Sequence, residues 1–330
     1  MKIAFFELEP WENKIIKDKL KRNVFYFSEK ELTDNNVNRI KNCEVLSVFI
    51  YSQINKDILD RLPKLKVIAT RSTGLDHIDL EECKKRKIKI YNIPSYGEYT
   101  VAEHTFALIF ALSKKIVEAA GRVKQNNFSL DGLRTFDLKD KTLGVIGCGN
   151  IGLHVIQIAN ALKMNVLVSS HHRDLKLSRK YNFKYSSLNQ LLENSDIITI
   201  HCPLNKETFH LINRNNIKLI KKGAYLVNTA RGNIIETKAL MYALDKNILA
   251  GAGLDVLEGE NEIREEKQLI HNKSLTKNLK ETLTANHKLL KERNVIVTPH
   301  NAFNSQEAMM RILEGTISNI KMAIHSRRKN

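Results

Sequence analysis

A chain of 330 residues with 42% hydrophobic content can bury enough apolar surface for two domains, and nothing in it carries the bias of a disordered or fibrous protein. Its 53 Lys and Arg against 36 Asp and Glu give a formal charge of +17, but the basic residues are dispersed and form no stripe interleaved with aromatics. A lysine-rich solvated surface that attracts anionic substrates is therefore expected, and nucleic-acid binding is not.

The four cysteines, Cys43, Cys83, Cys148 and Cys202, lie far apart, at neither metal nor disulfide-framework spacing, so reduced thiols in a cytoplasmic protein are expected, with no metal site. The first apolar run ends at Glu7, too soon for a signal peptide, and no later run approaches the roughly 20 apolar residues of a membrane span.

In chain order, short apolar runs at 3–6, 24–27, 45–50, 66–70 and 88–91 alternate with polar helical stretches, which predicts a parallel sheet covered on both faces. After the loop Pro94-Ser-Tyr-Gly97, an apolar-rich helix is expected over 101–123 as a connector between domains. A second α/β unit opens at Thr142-Leu-Gly-Val-Ile-Gly147 and continues through strands expected at 166–169, 196–201, 224–228, 250–255 and 295–298. A last helix, about 305–325, has no strand of its own and should return to the first domain. The expected domains are thus 1–99 with 304–330, and 100–303.

Gly147-Cys-Gly149-Asn-Ile-Gly152 fits G-x-G-x-x-G directly after an apolar strand and before a helical run at 151–162, the setting in which helix N-terminal N–H groups hold a pyrophosphate. Gly147 would make the tight turn, Gly149 would admit the phosphates, and Gly152 would let the helix pack on the strand. About 20 residues on, an acidic residue should meet the ribose of NAD. The segment instead reads Val168-Ser-Ser-His-His-Arg-Asp174. With no carboxylate to repel a 2′-phosphate, and with His171, His172 and Arg173 able to bind one, NADP is favoured over NAD; the alternative is that Asp174 serves NAD through a shifted loop. Adjacent histidines on a strand point to opposite sides, so His171 and His172 are not expected to share a metal.

Ligands of open α/β sheets collect at strand ends. Arg231, at the end of the run 224–228, could clamp a substrate carboxylate through two parallel N–H bonds; a structural ion pair with Asp255 or Glu260 is the other reading. His300 follows Val295-Ile-Val-Thr-Pro, and reduction of a ketone needs a proton as well as a hydride, which an imidazole oriented by a carboxylate can supply. His104, among Ala, Phe and Leu, reads as a packed histidine, and Cys148 as a small packing residue.

Taken in order, Arg71-Ser-Thr-Gly74-Leu-Asp76, Pro94-Ser-Tyr96, Ala102-Glu-His104, the Gly147 turn, Asn228-Thr-Ala-Arg231-Gly, Leu254-Asp255-Val and Thr298-Pro-His300 resemble the D-2-hydroxyacid dehydrogenase family over residues 68–303, in pattern most like its D-lactate dehydrogenase-like members. The resemblance implies an α/β protein of two doubly wound parallel-sheet domains. One would be a discontinuous flavodoxin-like catalytic domain and the other a Rossmann NAD(P)-binding domain, with the active site in the cleft between them and hinges near 97–100 and 301–304. It also implies that Arg231 binds the substrate carboxylate and polarises the carbonyl, that His300 exchanges the proton, and that Glu260 pairs with His300. Thr73 and Gly74 would form an N–H cradle for the carboxylate, and Tyr96 would reach a small, pyruvate-like 2-keto acid. Asn150 and Ile151 would lie at the pyrophosphate, Cys202, Pro203 and Thr208 along the cofactor, Thr229 and Ala230 beside it, and Asp255 near the nicotinamide. A homodimer through the nucleotide domain is likewise implied.

The chain departs from the family pattern at the missing acidic residue after Val168 and in a long charged insertion between Glu260 and His300, expected to be helical at 262–270 and 276–292. The insertion makes Glu258 an alternative partner for His300, although Glu260 keeps the expected offset of five from Asp255. Glyoxylate or hydroxypyruvate reductases and phosphoglycerate dehydrogenases of the same family are the nearer functional alternatives. From another class, the alternative is a dinucleotide-sensing, corepressor-like binding protein.

Overall fold

The computed structural model describes residues 1–260 and 277–328. The chain divides into two compact units, Met1–Tyr96 with Ser305–Asn330, and Gly97–Asn304.

In the smaller unit the strands β1 (Lys2–Phe5), β2 (Val24–Phe27), β3 (Val45–Val48), β4 (Val67–Thr70) and β5 (Lys89–Tyr91) form one sheet in the order β2-β1-β3-β4-β5, every neighbouring pair parallel. That order is flavodoxin-like. β3 and β4 are buried at every position, as continuous apolar runs are when helices cover both faces of a sheet. Alternation of side chains along each strand divides the core in two. Ala4, Leu46 and Ile68 pack with Ile58 and Leu59 of the helix Lys56–Asp60, whereas Ile3, Phe5, Val45 and Val67 pack with Leu313, Ile317 and Ile320 of the C-terminal helix Gln306–Arg328. The last helix therefore returns to the first sheet, as its lack of a strand predicts.

A buried ion pair closes this unit. Arg71, directly after β4, is 1% exposed and donates from Nη1 to both carboxylate oxygens of the fully buried Glu12, at 2.9 and 3.1 Å. Its Nη2 donates to the carbonyls of Phe6 (2.8 Å) and Glu7. Glu12 also accepts from the backbone N–H of Glu9 (2.7 Å), completing a capping box at the start of the helix Pro10–Lys19.

The larger unit carries β6 (Thr142–Ile146), β7 (Asn165–Ser169), β8 (Lys184–Tyr185), β9 (Ile197–Ile200), β10 (Ala224–Asn228), β11 (Leu249–Leu254) and β12 (Val295–Val297) in one sheet ordered β12-β11-β10-β9-β6-β7-β8. All neighbours are again parallel. The edge strand β8 escapes the sequence pattern because it is only two residues long and partly exposed.

The helix expected over 101–123 is corrected to two, Glu98–Ser113 and Ile116–Lys124. Lys115 between them adopts a left-handed φ of 50°. The cause is the later loop: Phe136 N donates to the Ser113 carbonyl (3.3 Å), and Lys114 Nζ donates to the Phe136 carbonyl (2.9 Å) and the Asp137 carboxylate (2.7 Å), so the end of the first helix is satisfied from outside.

Of the two helices expected in the charged insertion, the stretch 262–270 lies outside the described residues. The other is the helix Lys277–Leu289, whose Leu289 enters the core beside Ala239, Leu240 and Ala243. Among the described residues no helix is long and apolar enough to cross a membrane.

Removing one partner of a buried ion pair strands the other charge, a loss of about 3–5 kcal/mol. Glu12→Ala should lower stability in urea unfolding by that amount, and pairing it with Arg71→Met should restore most of the loss. A double variant no better than the single would show that the charge is not what Glu12 answers.

Candidate active site

Because every strand of the larger unit runs the same way, the loops after β6, β7, β9, β10, β11 and β12 all open at one edge of the sheet. From β6 the chain order runs outward through β7 and β8 on one side and through β9 to β12 on the other, which puts the Gly147 turn at the topological switch point.

The three glycines there differ in what surrounds them. Gly147 has φ 98°, and a Cβ on it would lie 2.7 Å from the backbone of His201 and Cys202. A Cβ on Gly152 would lie 2.2 Å from the Gly147 carbonyl oxygen. Around Gly149 nothing comes within 4 Å, so the backbone is bare on that side. Gly149 is also the N-cap of the helix Asn150–Ala161 and brings no side chain to its first N–H groups, those of Asn150, Ile151 and Gly152. An unblocked helix start with an open glycine before it leaves the first-turn N–H groups able to receive an anion.

Beyond β7 the chain bends at 171–172, and His171, His172, Arg173 and Asp174 are all exposed. The expectation that His171 and His172 point to opposite sides is corrected. They lie past the end of the strand, where side-chain alternation no longer holds, and their rings sit 4.9 Å apart. Asp174 is the N-cap of the helix Leu175–Lys180, accepting from Lys176 N (2.7 Å) and Leu177 N (3.3 Å). Arg173 donates to the Ser186 carbonyl at 3.4 Å.

After β9, burial pushes the His201 imidazole down to about 3, and it stands 2.9 Å from Thr199 Oγ1. Burial likewise pushes the neighbouring Cys202 thiol up to about 11. Thr208 folds back to donate to the Pro203 carbonyl at 2.6 Å, closing the loop 203–208.

After β10, the buried Asn228 fastens the turn that follows it: its Oδ1 accepts from Ala230 N (3.0 Å) and its Nδ2 donates to the Arg231 carbonyl (2.9 Å). Thr229 Oγ1 meets Thr105 Oγ1 at 2.9 Å, and Arg231 Nη1 donates to the Ala230 carbonyl at 2.8 Å. Gly232 lies so close under the next loop that a Cβ would fall 2.1 Å from the Leu257 carbonyl group. The Arg231 turn and the chain leading to Glu260 are thus stacked backbone on backbone.

After β11 and β12 comes the tightest set of contacts. Asp255, 1% exposed, accepts from Thr298 Oγ1 (2.5 Å), Asn301 N (3.0 Å) and Ala302 N (2.8 Å), and His104 Nε2 lies 3.5 Å away. Burial pushes its carboxyl up, but the donors outweigh burial, His104 foremost, and hold it below the ordinary carboxylate value. The segment 298–302 is wrapped around this anion. His300 sits in it with a left-handed φ of 54° and donates its own N–H to the Asp255 carbonyl at 2.8 Å. Its Nδ1 is 2.7 Å from Glu260 Oε1. Glu258 pairs with His210 Nε2 instead, also at 2.7 Å.

Sequence reasoning passed over several of these groups. His104, besides packing in its helix, places Nε2 3.1 Å from Thr298 Oγ1 and 3.5 Å from Asp255. Asn228 and Thr298 gave one faint signal, a polar residue at or just beyond the end of an apolar run, and His210 gave none.

In the smaller unit, Thr73 Oγ1 donates to the Ile93 carbonyl (2.8 Å), Asn92 Nδ2 donates to the Thr73 carbonyl (2.9 Å), and Ser72 Oγ donates to that of Gly74 (2.7 Å). Arg311 Nε donates to the Tyr96 carbonyl at 2.6 Å, so the C-terminal helix fastens the loop that carries Tyr96.

A dinucleotide-type sheet with an arginine turn and a histidine–carboxylate pair on adjacent strand ends belongs to an oxidoreductase that works with a nicotinamide cofactor. Residues 106–302 match the family model for the D-isomer-specific 2-hydroxyacid dehydrogenase, NAD-binding domain, and the chain belongs to that family. It is 34% identical over 98% of its length to a 2-hydroxyacid dehydrogenase homolog of Zymomonas mobilis, covering 97% of that protein. It is 35% identical to a glyoxylate reductase of Thermofilum pendens, over 89% of this chain and 80% of that one. Among solved structures, a D-lactate dehydrogenase of Aquifex aeolicus in complex with NAD and lactic acid superposes with a TM-score of 0.88 at 36% identity, over 99% of this chain and 96% of that one.

Asp255→Asn would turn a carboxamide N–H₂ towards groups that are themselves donors. It should cost about 2–4 kcal/mol in chemical unfolding near neutrality. Because the carboxyl is held below its unfolded value of about 3.9, its contribution is present above that value and is lost as acid takes the pH down through the lowered one. The variant should therefore show a flatter stability curve on the acid side than the parent protein; superimposable curves would remove Asp255 from the account.

Proposed function

We propose that this chain interconverts a small, pyruvate-like 2-keto acid and the corresponding D-2-hydroxy acid. The observation that carries the reading is the 2.7 Å pair of His300 and Glu260, seated on the loop held by Asp255 and adjoining the Arg231 turn. When bound, the nicotinamide supplies or takes the hydride.

The protein's own part is binding and proton transfer. Arg231 takes the substrate carboxylate through its planar fork of donors and polarises the carbonyl. His300, with Nδ1 engaged by Glu260, presents Nε2 to the carbonyl oxygen and donates the proton in reduction, and Glu260 stabilises the imidazolium form. Thr73, Gly74 and Tyr96 are the substrate-side residues of the smaller unit.

Gly147, Gly149, Asn150, Ile151 and Gly152 would hold the pyrophosphate, Cys202, Pro203 and Thr208 the middle of the cofactor, and Thr229, Ala230 and Asp255 its nicotinamide end. NADP is the favoured cofactor. Supporting this, Asp174 already serves as a helix cap, while His171 and Arg173 are exposed beside the loop after β7. A cytoplasmic homodimer is part of the same reading, supported by four free cysteines and by exposed Ile116, Val117, Val123, Phe128 and Leu130 on the nucleotide unit. The glyoxylate reductase relative supports a second reading in which glyoxylate or hydroxypyruvate is the substrate.

A panel of pyruvate, glyoxylate, hydroxypyruvate and phosphohydroxypyruvate, followed by nicotinamide absorbance, should give the highest kcat/KM with pyruvate. In that assay His300→Ala should lower turnover by about 100-fold or more; near-normal turnover would overturn the assignment. Run with each dinucleotide, the panel should give a higher kcat/KM with NADPH than with NADH, and a strong NADH preference would reverse the cofactor reading. Tight dinucleotide binding with no turnover of any keto acid would point to a sensor.

A further inference from the structure

Glu260 reaches His300 from a loop with a built-in pivot. Gly259, the residue before it, has a φ of 69°, and glycine in that region rotates at little steric cost. Glu260 Oε2 also accepts from Leu257 N–H (3.3 Å), so the carboxylate stays on the imidazole as long as the turn 257–260 that carries both is held in place.

Glu258 is held at three points. Its carboxylate accepts from His210 Nε2 (2.7 Å) and from the backbone N–H of Thr237 (2.9 Å), at the start of the helix Thr237–Asp245. Its backbone rests on Gly232, where a Cβ would come within 2.4 Å of the Glu258 nitrogen. Its carbonyl accepts from Asn286 Nδ2 at 2.8 Å. The Glu258–Gly259 peptide is the middle one of a turn closed by Glu260 N–H on the Leu257 carbonyl (3.2 Å), and the Asn286 bond anchors that turn from outside.

Asn286 belongs to the helix Lys277–Leu289, in the charged segment between Glu260 and His300 that the proposed chemistry leaves without a role. The side chain is 1% exposed, and its Oδ1 finds no partner among the described residues. An apolar residue would avoid the cost of that stranded oxygen, so the carboxamide is explained by what its other end does. The helix is a firm base for it: Leu289 is buried beside Ala239, Leu240 and Ala243, and Glu281 forms an ion pair with Lys238.

We propose that Asn286 is a positioning residue, which locks the Glu258–Gly259 peptide and thereby holds the Glu260 carboxylate on His300; this rests on the acid–base reading of that pair. The helix Lys277–Leu289 is then a strut for the catalytic carboxylate. Asn286 touches no reacting group, and its effect passes wholly through Glu260.

The test is a double-mutant cycle with pyruvate, or whichever keto acid of the panel is turned over fastest. Asn286→Leu keeps the volume and Asn286→Ala does not, and both remove the donor. Each should lower kcat about 10-fold, of the order that loss of alignment produces. KM for the dinucleotide should stay within about two-fold, because the loss acts on the chemical step and not on cofactor binding. The solvent deuterium isotope effect on kcat should rise, and amide exchange of the peptide 255–260 should quicken. In a Glu260→Gln background the same substitutions should change kcat by less than about two-fold.

Unchanged kcat and exchange in both variants would overturn the proposal, as would an equal loss in the two backgrounds. If Glu260→Gln alone keeps parental turnover, the acid–base reading itself has failed. If that background is too slow to measure, exchange at 255–260 decides: parental rates in both Asn286 variants overturn the strut.

Discussion

A carboxylate removed from water is costly unless every lone pair is answered, and Asp255 meets that demand by drawing in the chain that follows β12. Thr298, Asn301 and Ala302 supply donors to one anion, so the intervening residue, His300, has little freedom in where it sits. Its left-handed backbone, unusual for a residue with a Cβ, is the strain that this wrapping sustains. His104, on a helix far away in the chain, adds its ring to the same anion. The placement of the imidazole thus follows from the solvation of a neighbouring charge.

The smaller unit uses the same device with different residues. Arg71 and Glu12 bury a pair of opposite charges at the end of β4, and the residues directly after Arg71 are Ser72, Thr73 and Gly74. In each unit a buried ion at a strand end, bonded in several directions, fixes the course of the adjoining loop. Glycines do the complementary work. Gly147, Gly152 and Gly232 bring backbones closer than any side chain would permit, and Gly232 thereby stacks the arginine turn under the loop that leads to Glu260.

Much of the architecture was legible because apolar strands of 4 to 6 residues, separated by helical stretches, admit few arrangements other than a parallel sheet covered on both faces. The glycine turn was legible for the same kind of reason, since its spacing and its place between strand and helix are local properties. The strand β8 was not, because two half-exposed residues carry no periodicity. The break at Lys115 was not either: the local sequence favours a continuous helix, and the bonds that end it come from Phe136 and Asp137.

The candidate site divides along the same line. From the sequence alone came which residues stand at strand ends, that Arg231 and His300 are among them, and that no acidic residue directly follows the strand after the glycine turn; these depend on order and spacing along the chain. Tertiary structure decided the rest. It put Glu260 on His300 and Glu258 on His210, and drew His104 and Asn286 towards the loops that carry those pairs. A hydrogen bond depends on where two groups lie in space, and residues separated by 28 to 194 positions in the chain carry no local pattern that announces the pairing.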